Sequence, residues 1–187
     1  MALKIDQIKD LQDNSIISKS GSNITLGASN DTIALASGVT LLSNVPAFQA
    51  SMSADQSVTN SSYIKVQFDT ESFDTDGCYD NVTNYRFTPN VAGKYFFYIS
   101  TRNDSITDTQ LDINLVALYK NGTRIRRTVF DPAANYGRSN SPTLNHIETA
   151  NGTTDYFEAY VYVADQSGTP QVQGGEDSIF GAYRIGA

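Results

Sequence analysis

The chain has 187 residues, with 13 Lys and Arg against 20 Asp and Glu and a formal charge of -7, a length that suits one compact domain with a tail, or two small modules. The acidic balance repels nucleic acid and anionic membrane, and 40% apolar with 18% charged residues describes a folded chain and not a disordered one. Cys78 is the only cysteine and His146 the only histidine, which excludes an intrachain disulfide framework and a His/Cys metal cluster within one chain.

The first residues, Met1 to Asp6, carry charges and lead into no long apolar run, so they read as neither an export signal nor a membrane span. Leu3, Ile5, Ile8 and Leu11 suit one side of a short helix or an extended docking segment. A repeat follows: Ile24-Thr25-Leu26-Gly27-Ala28-Ser29 is echoed by Ile33-Ala34-Leu35-Ala36-Ser37-Gly38. Each unit is a short alternating strand closed by Gly, Ser or Asn. Two or three apolar side chains per unit contribute about 1.5–3 kcal/mol apiece when fully buried. Ordering the backbone costs about 1–2 kcal/mol per residue. One copy is therefore marginal, and a stalk with Ile24, Leu26, Ile33 and Leu35 in a shared axial core is expected; the plainer alternative is a flexible Ser/Asn-rich linker.

From about residue 45 the pattern is all-β. Residues 63–68 alternate. Gly93 to Ile99 is apolar on both faces, so both sides of that strand are expected to be covered. Leu111, Ile113, Leu115, Ala117 and Tyr119 fall on one face of the next strand, and Asn121-Gly122 marks a hairpin. Residues 156–163 place Phe157, Ala159, Val161 and Val163 on one side and Tyr156, Glu158, Tyr160 and Tyr162 on the other. Residues 178–185 form the last strand. Many short strands without helical periodicity indicate a sandwich or barrel. The domains expected are a docking segment at 1–20, a repeat stalk at 21–44 and an all-β domain at 45–187.

Several motifs in the last domain fall in a recognisable order: Phe68-Asp69, Phe73, Gly77, Tyr79-Asp80, Phe87-Thr88-Pro89, then residues 91–97, Val116-Ala117-Leu118-Tyr119-Lys120-Asn121-Gly122, and Ser178-Ile179-Phe180-Gly181-Ala182-Tyr183. This order resembles the globular head of complement component one-q and its tumour necrosis factor-like relatives. The resemblance implies a jelly-roll sandwich of about ten strands that assembles as a homotrimer, with Tyr95, Phe97, Phe180 and Tyr183 in the core or along the subunit axis. The short-strand repeats and charged start resemble bacteriophage fibres and spikes, which implies a virion protein docked to a larger tail or capsid component.

Other constellations each carry a chemical and a plain reading. The acidic residues Asp74, Asp76 and Asp80 are a calcium candidate by ligand type, without the spacing of a helix-loop-helix calcium site; their plain reading is a solvated loop. Otherwise no cofactor is expected. Arg124, Arg126, Arg127 and Arg138 are the main basic concentration, with Arg124 and Arg126 placed on one strand face. Arg124, Arg126 and Arg138 are the candidates for contact with carboxylate or phosphate on a host glycan, against an edge kept soluble by charge. Tyr160, with Tyr156 and Tyr162, suits either sugar stacking or the subunit interface. Cys78 and His146 read as loop residues. Loops near residues 70–83, 106–110 and 133–144 are the expected contact surface.

The expected function is a non-enzymatic virion appendage: a homotrimer attached by its N-terminus and presenting a jelly roll to host surface glycan or protein. The alternatives are a capsid decoration protein without receptor binding and a secreted tumour necrosis factor-like ligand. An enzymatic reading, glycan depolymerisation, ranks last. A carboxylate pair such as Glu158 and Glu176 can be drawn in any acidic chain, and no catalytic set rises above that.

Overall fold

The computed structural model describes residues 7–9, 15–20, 23–26, 45–106, 110–133, 135–166 and 169–186. The chain divides into two compact units, Met1–Ser43 and Asn44–Ala187. In the first, β1 (Gln7–Lys9), β2 (Ser15–Ser20) and β3 (Asn23–Leu26) form an antiparallel sheet in that order. Ile8 pairs with Ile17, and Ile17 pairs with Leu26. The docking segment is thus extended at Gln7–Lys9, and the β2–β3 hairpin straddles position 20.

In the second unit, every regular element among the described residues is a strand. They are β4 (Ala47–Met52), β5 (Gln56–Ser57), β6 (Tyr63–Lys65), β7 (Thr70–Asp74), β8 (Tyr79–Asp80), β9 (Arg86–Phe87), β10 (Gly93–Ser100), β11 (Arg102–Ser105), β12 (Leu111–Lys120), β13 (Thr123–Phe130), β14 (Ser139–Asn140), β15 (Thr143–Ala150), β16 (Phe157–Asp165), β17 (Pro170–Gln173) and β18 (Gly175–Gly186). One sheet has the order β15-β10-β18-β4-β7. A second runs β13-β12-β16-β9-β8 with β6 also paired to β16, and a small third runs β14-β11-β17-β5. The consecutive strands β10, β11 and β12 lie in three different sheets while β10 pairs with β15 and β18, as a jelly roll requires.

Period-2 alternation explains which side chains are interior. Phe48, Ala50 and Met52 of β4, Tyr95, Phe97 and Ile99 of β10, and Phe157, Ala159, Val161 and Val163 of β16 all enter the core. Phe48 organises its aromatic centre: its ring stacks on Tyr79 at 4.4 Å and Phe87 at 4.6 Å, and meets Phe180 edge-on at 4.9 Å. The buried polar tips have partners. The Tyr95 hydroxyl donates to the Val91 carbonyl at 2.6 Å, and the Tyr79 hydroxyl to that of Phe68 at 3.0 Å. Burial raises both phenols, Tyr95 to about 12.

Two strands depart from the expected alternation. On β12, Leu111 pairs with Asp165 but Asn114 with Val163, so three steps on one strand match two on the other. This bulge reverses the phase. Leu111 joins Val116 and Leu118 in the core, whereas Leu115, Ala117 and Tyr119 lie on the opposite face. The expected single face from Leu111 to Tyr119 is thus split. On β13 a second bulge leaves Ile125 between Arg124, opposite Tyr119, and Arg126, opposite Leu118. Tyr119 and Leu118 are adjacent, so Arg124 and Arg126 occupy opposite faces, contrary to the sequence expectation, and Ile125 packs against the core.

Replacing Phe48 with Ala removes one ring from three aromatic contacts at once. The expected loss is about 3–5 kcal/mol of unfolding free energy, read as a fall in denaturation midpoint. Phe48→Leu, which keeps most of the volume, should lose markedly less.

Candidate functional site

The core-forming strands of the five-stranded sheet carry large side chains on their other face as well. Cross-strand pairing sets two rows there: Ile147–Phe96–Tyr183–Ala47, and Asn145–Tyr98–Gly181–Gln49–Phe73. Phe96 and Tyr183 are in ring contact at 5.4 Å. Tyr183 is 45% exposed, Ile147 52% and Phe73 46%. A third row, Thr143–Ser100–Ile179–Ser51–Thr70, is mostly polar. An aromatic centre with a polar margin is the composition of a protein–protein interface. The Tyr98 ring lies across β18 at Gly181 and its hydroxyl donates to Gln49 Oε1 at 3.0 Å, so a Cβ at position 181 would meet that ring. Burial raises the Tyr98 phenol, with Tyr183 adding to the effect.

Of the residues expected in the core or at the subunit axis, Tyr95, Phe97 and Phe180 are fully buried and Tyr183 is on this outward face. Tyr160 is on β16, in the other large sheet, and does not share a surface with Tyr183. The expectation that both sides of the Gly93 to Ile99 strand are covered took in Phe96 and Tyr98 without naming them as site residues, and Ile147 was passed over. The signal for the first two was present in the doubly apolar run of Gly93 to Ile99.

The outward face of the second large sheet has a different chemistry. Its rows are Val129–Leu115–Tyr162–Tyr63, Arg127–Ala117–Tyr160–Lys65 and Arg124–Tyr119–Glu158–Arg86. Tyr119 and Tyr160 are 4.1 Å apart by ring centroid, and Tyr63 and Tyr162 are 5.3 Å apart. The Arg124 and Arg127 guanidinium groups both donate to the Tyr63 hydroxyl, and Arg124 also lies 5.0 Å over the Tyr63 ring. Lys65 Nζ is 2.5 Å from Glu158 Oε1, which satisfies the one carboxylate of these rows. Arg126 faces away from this set. Arg138 lies outside it, 3.7 Å through its Nε from the buried Asp104 carboxylate beside the small sheet, so the three expected arginines do not converge.

In the acidic stretch, Asp74 accepts from the N–H of Asp76 at 3.3 Å and of Tyr79 at 2.7 Å. Asp80 accepts from the N–H groups of Val82, Thr83 and Asn84 and from the Asn84 amide. The Thr83 N–H contributes most to holding the Asp80 carboxyl down at about 2. Asp74 and Asp80 thus act as turn acceptors. Among the described residues no cluster of three or more His, Cys, Asp or Glu side chains could hold a metal. Thr70–Asp74 is strand β7 and not loop, because it pairs with β4 along the sheet edge. His146 is likewise in a strand, β15, opposite Phe97, with Nε2 3.5 Å from Glu148, which corrects its expected loop position. Cys78 is a buried free thiol, raised by burial.

In the N-terminal unit, Leu26 is 51% exposed and Ile24 pairs with Lys19. Ile8 lies in β1; Leu3, Ile5, Leu11, Ile33 and Leu35 lie outside the described residues.

The second unit is therefore a jelly roll of the C1q and tumour necrosis factor type. It is similar to the globular domain of zebrafish complement 1qA protein, with a TM-score of 0.51 and 13% identity over 75% of this chain and 97% of that one. It is similar also to Eiger TNF from S. frugiperda, at 0.50 and 10% over 75% and 91%, and to murine APRIL, at 0.53 and 10% over 76% and 100%. No family model matches the chain, and no curated protein matches it in sequence.

Two outcomes follow. Gly181→Ala should displace the Tyr98 ring and break its bond to Gln49, lowering stability by about 1 kcal/mol, well short of the loss at Phe48; the denaturation midpoint reads it. Because the folded Asp80 carboxyl titrates below its unfolded value near 3.9, its contribution is present above about pH 4 and is lost as pH falls toward about 2. Asp80→Asn should be less stable near about pH 5 and show a shallower acid-induced loss over that window.

Proposed function

We propose that the chain is a bacteriophage virion structural protein, a homotrimeric fibre or spike, that attaches to a larger tail or capsid component through residues 1–44 and presents its jelly roll to the host surface. The observation that carries the self-association is the aromatic face of the five-stranded sheet, with Phe96, Tyr98, Ile147 and Tyr183 at its centre. Second copies would cover what the single chain leaves half open, and the likeness in fold to complement and tumour necrosis factor heads supports threefold closure. The repeat pattern of the first unit supports the virion context. Binding, not catalysis, is the role proposed. Three weak contacts held together gain avidity through effective concentration.

A chain of 20.4 kDa should give a solution mass three times that value at micromolar concentration. Tyr183→Asp combined with Ile147→Asp should reduce the mass to that of one chain, because each subunit then carries buried unpaired charge. A monomeric wild-type chain contradicts the assembly. Removing residues 1–44 should leave a trimeric head that no longer joins the particle. A trimer found in culture medium and absent from purified virions would favour the secreted ligand instead.

A further inference from the structure

The arginines of β13 are placed in a way that the fold alone does not require. Arg124 and Arg127 reach the same phenolic oxygen, that of Tyr63. Two guanidinium groups drawn to one neutral acceptor repel each other, and like charges on neighbouring positions destabilise a sheet. An ordinary surface would place a carboxylate between them. Among the described residues none of Arg124, Arg126 and Arg127 has an ion-pair partner within 4.0 Å, although the chain has 20 acidic residues against 13 basic ones. The nearest-row carboxylate, Glu158, is held by Lys65. Along β13, Arg124, Ile125, Arg126 and Arg127 border an open depression of about 240 Å³.

Beside the two cations lies an aromatic floor. Tyr119 and Tyr160 lie within 4.1 Å of each other, Tyr63 closes toward Tyr162 and Tyr119, and Leu115 and Ala117 are buried in the same rows. A carbohydrate ring has an apolar C–H face that suits such a floor, and a carboxylate or phosphate on that ring suits a pair of guanidinium forks. An acidic peptide would use the cations but not the floor. A nucleic acid would meet long-range repulsion from the net charge of -7.

We infer that the outward face of the β13-β12-β16-β6 array binds an anionic saccharide, its acidic group between Arg124 and Arg127 and its ring against Tyr119 and Tyr160. This rests on the host-surface reading above and specifies its chemistry; it replaces Arg126 and Arg138 with Arg127 and the tyrosines as contacts.

The test is anisotropy of a labelled oligogalacturonate with the full-length protein, with glucose 1-phosphate, inorganic phosphate and neutral maltohexaose as competitors. The oligogalacturonate should bind and weaken as salt rises. Competition by glucose 1-phosphate would place phosphate-bearing sugars in the site, and its failure to compete would restrict the site to uronates. Inorganic phosphate and maltohexaose should compete poorly, each offering half of the recognition. Arg124→Gln with Arg127→Gln should lose about tenfold or more in affinity, and Arg124→Lys less than the double variant. Arg102→Gln, whose partner Asp177 lies elsewhere, should bind as wild type. The solution mass and denaturation midpoint of each variant, matched to wild type, exclude misfolding. Absence of binding, retention in the double variant, or equal competition by inorganic phosphate or maltohexaose overturns the inference. So does tighter binding of an oligonucleotide or an acidic peptide. If the double variant loses saccharide while the particle still adsorbs to its host, the appendage role stands and this site is not its receptor contact. If saccharide binds but the protein is absent from virions, the saccharide site stands and the virion role falls.

Discussion

Strand β10 carries aromatic side chains on both of its faces, and the consequences spread through the jelly roll. Tyr95 and Phe97 point inward, where they meet Phe87 and Phe157 and close the core. Phe96 and Tyr98 therefore point outward, since successive residues on a strand cannot share a side. Among the described residues of this unit no further layer lies over them. Gly181 lets the Tyr98 ring lie flat on β18, and Tyr183 lies beside Phe96, which reduces the exposed area without removing it. The arrangement is costly for an isolated chain and would be relieved by the proposed association of copies.

The two large sheets thus present opposite chemistries. The face of the five-stranded sheet is aromatic and nearly free of charge along its central rows, which suits contact with another copy. The face of the second sheet joins tyrosines to arginines, which suits a small polar and anionic partner. Because β10 and β16 are joined through one core, the two faces are fixed on a common rigid support. In the proposed trimer, assembly through one would leave the other available, and each added copy would multiply it.

Regular alternation made much of this legible from the residues. Phe157, Ala159, Val161 and Val163 occupy the interior as their spacing demands, and Asn121-Gly122 joins β12 to β13, both with positive φ. The general order of aromatic and glycine motifs was enough to recognise a jelly roll. The bulges were not legible. One extra residue near Asp112 and another at Ile125 reverse the faces of everything beyond them, and nothing in local composition marks either. That is why Arg124 and Arg127, and not Arg124 and Arg126, come together. The short strands were obscured for a different reason. The β15 segment, Thr143–Ala150, has polar residues at five of its eight positions, so only its pairing with β10 defines it. The acidic stretch was read by charge alone, whereas its carboxylates serve the N–H groups of tight turns.

Hydroxyl-radical footprinting across a dilution series tests most directly whether the outward face of β10, β15 and β18 is covered by other copies. At micromolar concentration Phe96, Ile147 and Tyr183 should be protected and should gain reactivity together on dilution, while Tyr63 and Tyr162 stay unchanged. Equal reactivity of Phe96, Ile147 and Tyr183 at every concentration, in a chain whose mass does not change, would contradict it.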